Sequence, residues 1–131
     1  MKKTALLNDA ISAAIAGMGH TDGLAIGDCG LPIPKETQRI DLALKRGTPG
    51  FLETLRTVLE ELQVEKALLA EEIQKVSPDM WEGVREALPG VACEFVSHEE
   101  FKEKLKNVKC VIRTGECTPY ANIILISGVS F

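Results

Sequence analysis

The stretch Gly17–Pro34, which runs GMGHTDGLAIGDCGLPIP, constrains the fold more than any other part of the chain. Ile11, Ala14, Ile15 and Met18 recur at helical spacing behind a capping Asn8 or Asp9, and Gly17 and Gly19 stop that helix. His20 follows at once. The apolar run Leu24–Asp28 then reads as a buried strand, and Gly30, Pro32 and Pro34 turn the chain away from it. An ionisable side chain therefore stands at each end of one strand, His20 before it and Asp28 after it. A functional loop fits that pattern, and so does a plain helix–turn–strand corner with a capping His and a turn Asp.

Downstream, apolar runs alternate with helical periodicity. Ile40, Leu42 and Leu44 alternate as in a short half-buried strand. Thr48 and Pro49 read as the cap and first residue of a helix whose inner face is Phe51, Leu55, Val58, Leu59 and Leu62. Val64–Ile73 opens as a buried strand through Lys66-Ala-Leu-Leu-Ala, although Ala and Leu also suit a helix. Ser77-Pro78 starts a helix that turns Trp81, Val84 and Leu88 inward and ends at Pro89-Gly90. Cys93–Val96 is a strand. Ser97-His98-Glu99-Glu100 is a capping box, with Phe101 and Leu105 anchoring the helix behind it. Lys109–Arg113 and Asn122–Ser127 are the last strands. The alternation predicts one α/β domain over residues 1–131: three layers, α/β/α, around a mostly parallel (mixed) central sheet.

Composition removes several classes of function. A formal net charge of -4 offers no general attraction to phosphate backbones or anionic lipid, so neither nucleic acid nor membrane is expected as a partner. Asn8 and Asp9 interrupt the apolar residues after Lys2 and Lys3, which leaves no signal-peptide core and points to the cytoplasm. The four cysteines form no C-x-x-C pair, and two lie in expected strands, as reduced thiols do. No dinucleotide fingerprint follows a strand, and neither a Walker A loop nor a G-x-S-x-G elbow occurs.

The residues left for chemistry are few. His20 follows a helix C-terminus and His98 opens a helix, so opposite dipole ends act on the two imidazoles. Solvated capping roles fit both as well. Lys102 lies one turn after His98 on the same helix face, where it either meets a ligand hydroxyl or faces water. Tyr120 and Asn122, if extended around Ala121, point to one side and offer donors and acceptors suited to a neutral polyol. Tyr120 fits a locally satisfied core residue equally well. His20, Asp28, His98 and Cys117 make an inventory for a metal but lack ligand spacing, so no metal is expected. Eight residues separate His20 from Asp28, up to about 26 Å when extended. They share a pocket only if Thr21–Gly23 doubles back or if the pocket lies between subunits.

Met18-Gly-His-Thr-Asp, Asp28-Cys-Gly-Leu-Pro-Ile-Pro, Arg39-Ile-Asp-Leu, Ala70-Glu-Glu-Ile and Val111-Ile-Arg-Thr-Gly-Glu-Cys-Thr-Pro-Tyr-Ala-Asn-Ile-Ile-Leu resemble the D-ribose pyranase family of sugar mutarotases. The resemblance runs from Lys2 to Phe131 and is weakest over residues 77–95. Fucose mutarotases share the general plan. The resemblance implies a cytoplasmic isomerase that interconverts the pyranose and furanose forms of ribose without a cofactor. It implies a homo-oligomer of two stacked pentameric rings, with sites near subunit boundaries. It also implies His20 as proton donor and substrate contacts at Asp28, His98 and Tyr120, Ala121 and Asn122; the helix-face position of Lys102 beside His98 adds that residue to the expected pocket. A mutarotase for another sugar such as fucose, or a sugar-binding module without turnover, remains the alternative.

Overall fold

A computed structural model describes all 131 residues. Helix α1 (Asp9–Ala16) leads into β1 (Gly23–Gly27) and β2 (Gln38–Asp41), followed by α2 (Phe51–Leu59) and β3 (Val64–Ala70). Two helices, α3 (Ile73–Val76) and α4 (Pro78–Ala87), precede β4 (Ala92–Val96). Helix α5 (His98–Lys104) runs into a 3₁₀ turn, and β5 (Cys110–Arg113) and β6 (Ile123–Ser127) close the chain.

The six strands lie in the order β2-β5-β1-β6-β3-β4. β5 runs parallel to β1 and β2, and β4 parallel to β3. β6 alone is antiparallel, to both β1 and β3. Residues 114–122, which join β5 to β6, contain no helix, and a parallel return would need one. The expected mixed, mostly parallel sheet is therefore what forms.

Alternation along each strand divides the interior in two. Leu24, Ile26, Leu69, Ile123 and Leu125 join Ile11, Phe51, Leu55 and Val84 in a core of 20 buried residues under α1, α2 and α4. Ala25, Leu68, Val111 and Ile124 meet Leu31, Phe101 and Leu105 on the other face in a cluster of only 7. The second face is thus covered by α5, its 3₁₀ turn and Leu31, and is left partly open. Each fully buried Phe, such as Phe51 or Phe101, contributes about 1.5–3 kcal/mol from burial.

Three local expectations are corrected. The helix expected from Thr48-Pro49 starts at Phe51, with Gly50 as its N-cap. Thr48 is instead held in a tight turn, its N–H donating to Lys45 O and its carbonyl accepting from Leu44, with Gly47 at φ 82. The strand expected through Leu44 stops at Asp41, whose carboxylate accepts the Ala43 N–H at 3.0 Å and bends the chain. Leu62 is buried but lies beyond the end of α2. The short helix α3 was not legible as a separate element.

Candidate active site

The carboxyl end of β1 carries most of the expected residues. Asn122 Oδ1 accepts the Asp28 N–H at 2.9 Å, and Asn122 Nδ2 donates to Asp28 Oδ2 at 3.0 Å. Asp28 Oδ1 accepts the Gly30 N–H at 2.9 Å. Gly27 makes this possible: a Cβ there would stand 2.5 Å from Leu31 Cδ2 and 3.1 Å from Asn122 Oδ1. Burial pushes the Asp28 carboxyl above the ordinary carboxylate value. The Gly30 N–H, the Asn122 amide and the charge of His98 pull the other way without cancelling it.

His98 reaches the same cluster from α5. Ser97 caps that helix by accepting the Glu100 N–H at 3.1 Å, as its sequence suggests. The His98 N–H donates to both oxygens of Glu72 at 3.1 Å, which ties the helix start to the exit of β3. The His98 ring stands edge-on to Tyr120, with centroids 5.1 Å apart. Its Nδ1 is buried and has no hydrogen-bond partner. A buried polar atom left unpaired marks a place where a ligand or water can bond.

The segment around Tyr120 differs from the extended run considered above. Pro119 in second place, Tyr120 at φ 62 in third, and Ala121 N–H donating to Thr118 O at 3.3 Å make the pattern of a type II turn. A left-handed Tyr is strained by about 1–2 kcal/mol. Ser77 Oγ donates to Pro119 O at 2.7 Å, and Glu116 accepts from the Thr118 hydroxyl at 2.8 Å, so the turn is held from both sides. Tyr120 and Asn122 consequently meet different neighbours, His98 and Asp28. Ala121 is fully buried with its side chain in the main core and its N–H engaged by Thr118 O, so neither is offered to a ligand.

His20 lies elsewhere. It stands at the amino end of β1, its Nε2 2.9 Å from Glu65 Oε2, with 52% of its side chain exposed. Thr21 beside it adopts φ 71, and its N–H donates to Ser127 O. A turn over Gly19–Asp22, closed by the Asp22 N–H donating to Gly19 O at 3.2 Å, leads into β1 and leaves His20 at that amino end, away from Asp28. A groove of about 440 Å³ opens nearby on the thinner face, lined by Thr21, Gly23, Glu65, Lys66, Glu94 and Ile126 among others. Lys102 pairs with Glu99 at 2.7 Å and makes no bond to the Asp28 cluster. No three His, Cys, Asp or Glu side chains are gathered as a metal would require. Cys117 lies beside Cys29, with the sulfurs 3.8 Å apart.

Other residues brace this cluster from outside it. Glu72 holds His98, and Ser77 holds Pro119. Glu116 caps α2 by accepting the Phe51 N–H at 2.9 Å. Arg113 bonds both oxygens of Asp41 at 3.1 Å and donates to Cys29 O. The only sequence signal for Glu72 is its place in the Ala70-Glu-Glu-Ile motif.

One end of the molecule thus offers a carboxylate, a carboxamide, a phenol and an imidazole fit to grip hydroxyl groups, and the other an exposed imidazole able to carry a proton. A D-ribose pyranase of Clostridium perfringens (strain SM101 / Type A) is 63% identical over 131 residues, all of both chains. The structure of Bacillus subtilis RbsD complexed with D-ribose superimposes with a TM-score of 0.97 at 44% identity, covering all of both chains. A fucose mutarotase from Streptococcus pneumoniae in complex with L-fucose matches with a TM-score of 0.86 over both full chains; at 21% identity it shows the fold alone. Residues 1–130 match one family along their whole length, and the chain belongs to the RbsD / FucU transport protein family.

Proposed function

We propose that the chain is a D-ribose pyranase, an isomerase that interconverts the pyranose and furanose rings of ribose. The observation that carries this is the convergence of Asp28, His98, Tyr120 and Asn122, in a chain 63% identical over its full length to a D-ribose pyranase. The chemistry asks little beyond positioned proton carriers. A proton delivered to the ring oxygen and another withdrawn from the anomeric hydroxyl break the C1–O bond and leave the open-chain aldehyde. A different hydroxyl then attacks C1, losing its proton as the aldehyde oxygen gains one, and the other ring size results. Positioned acid–base groups contribute ~10²–10⁴-fold to such steps.

His20 is the proton donor. Asp28 and Asn122 hold sugar hydroxyls, and the unpaired Nδ1 of His98 bonds another. Tyr120 and the Ala121 backbone close the pocket, and Lys102 reaches it by releasing Glu99. Because His20 and Asp28 occupy opposite ends of β1, the His20 of one copy serves the Asp28 cluster of the next. The copies would be those of a homo-oligomer of two stacked pentameric rings in the cytoplasm, as the family resemblance implies. NMR saturation transfer on ribose tests the assignment. The native protein is expected to speed ring exchange, and His20→Ala to lose at least ~10²-fold of that rate while keeping its fold. A native protein that binds ribose yet leaves exchange at the buffer rate overturns it.

A further inference from the structure

We infer that Glu65 is a positioning residue for His20: it holds the imidazole through Nε2 and leaves Nδ1 as the atom that exchanges a proton with the sugar. This rests on His20 being the proton donor. The contact itself is a single one, Nε2 to Oε2 at 2.9 Å. A carboxylate only accepts, so it fixes the proton on Nε2 in the neutral ring and makes Nδ1 the free nitrogen.

Three features of the fold are spent on bringing these two side chains together. The first is a β-bulge. Val64 pairs with Ser127 and Lys66 with Ile126, so Glu65 is the extra residue. An unbroken strand would place residues 65, 67 and 69 on one face, with Glu65 in the main core beside Ala67 and Leu69. The bulge seats Val64 there instead and releases Glu65 to the end of the sheet. The second is Gly128, just past β6, whose own Cβ would stand 3.1 Å from Glu65 Cβ and 3.3 Å from its N and would press on the bulge. The third is Thr21, a β-branched residue at φ 71 directly after His20, pinned by its bond to Ser127 O. Strain of this kind at a β-branched residue marks a direction imposed on its neighbour.

The nearby charges are otherwise engaged. Asp22 accepts the Gly19 N–H at 2.9 Å and faces Lys109 at 3.6 Å, while Lys66 faces Glu94 at 3.5 Å. Glu65 is the carboxylate left to His20.

The test compares native protein with Glu65→Ala and Glu65→Gln. Imidazole ¹⁵N shifts report the His20 tautomer, and saturation transfer on ribose reports kcat and KM. In the native protein the neutral ring is expected as the Nε2–H form. Glu65→Ala is expected to mix the tautomers and lower kcat on the order of ten-fold or more, with KM changed less than about two-fold. Glu65→Gln, whose amide oxygen still accepts from Nε2, is expected to restore the tautomer and part of kcat. A Glu65→Ala protein with the native ¹⁵N pattern and native kcat overturns the inference, as does a loss expressed in KM alone. If His20→Ala retains exchange, the donor assignment falls, and the ¹⁵N shifts still decide whether Glu65 holds the ring.

Discussion

At the carboxyl end of β1, Asp28 and Asn122 exchange two hydrogen bonds, and Asn122 is 1% exposed. At the amino end, His20 and Glu65 share one contact, with 52% and 45% of their side chains in solvent. The first end is assembled from residues 94 apart in sequence and is finished within one chain. The second is aimed by backbone devices but left uncovered. An exposed polar contact of this sort is worth about 0–1 kcal/mol, too little to hold a ring in one place. Covering it with another copy would lower the local dielectric and strengthen the same bond. The contrast teaches that one end of β1 is fixed within a single chain while the other is left exposed; on the proposed reading, the exposed end would gain its rigidity from assembly.

The comparison breaks most visibly in a mixing experiment. His20→Ala and Asn122→Ala chains, each inactive alone, are expected to recover roughly a quarter of native exchange when unfolded and reassembled together, because symmetric rings then contain some intact junctions. No recovery from well-folded mixed rings would place both halves within one chain. A smaller effect concerns stability. Asn122→Ala strips two partners from a buried cluster and is expected to lower unfolding free energy by ~1–3 kcal/mol in denaturant titration. His20→Ala at the open end should stay within ~0.5 kcal/mol. Equal losses at the two ends would erase the distinction.

The smallest effect is a pH dependence confined to the closed end. The Asp28 carboxyl sits above its ordinary value of 3.8 in the folded chain, chiefly through burial. The folded state therefore holds that proton to higher pH than the unfolded one, and ionising Asp28 opposes folding. That opposition is complete above the folded value and absent below about 3.8. The stability that native protein loses to Asp28 ionisation, read against Asp28→Ala across pH, is expected to be full at neutral pH, with that gap closing as pH falls through the folded value. A gap that widens on acidification would reverse the sign. The same variant should bind ribose more weakly, as a residue kept for function at the expense of stability would.

Much of this was legible in the residues. The strand between His20 and Asp28, the Ser97 cap and the Ser77-Pro78 helix start all follow from local chemistry, because each depends on neighbours a few positions away. The separation of His20 from Asp28 also followed, since an eight-residue span around one strand leaves few choices. The type II turn at Tyr120 carried Pro119 as its signal but lacked the glycine that normally marks positive φ. The roles of Glu65, Glu72 and Glu116 could not be seen. Each acts across the sheet on a residue 26 to 65 positions away, and a glutamate before such a contact looks like any solvated one. The bulge at Glu65 is equally silent, because only the register against β6 creates it.

The position of β6 has a consequence for biosynthesis. Strands β2, β5 and β1 form one ribbon and β3 and β4 another, and residues 123–127 are the seam between them. Those residues follow every other strand in the chain. Until they emerge, the nascent chain holds two unjoined ribbons with bare edges, and neither Asp28 nor Glu65 has its opposite number. A chain cut before residue 123 should therefore be not a weakened enzyme but a sticky, protease-sensitive product.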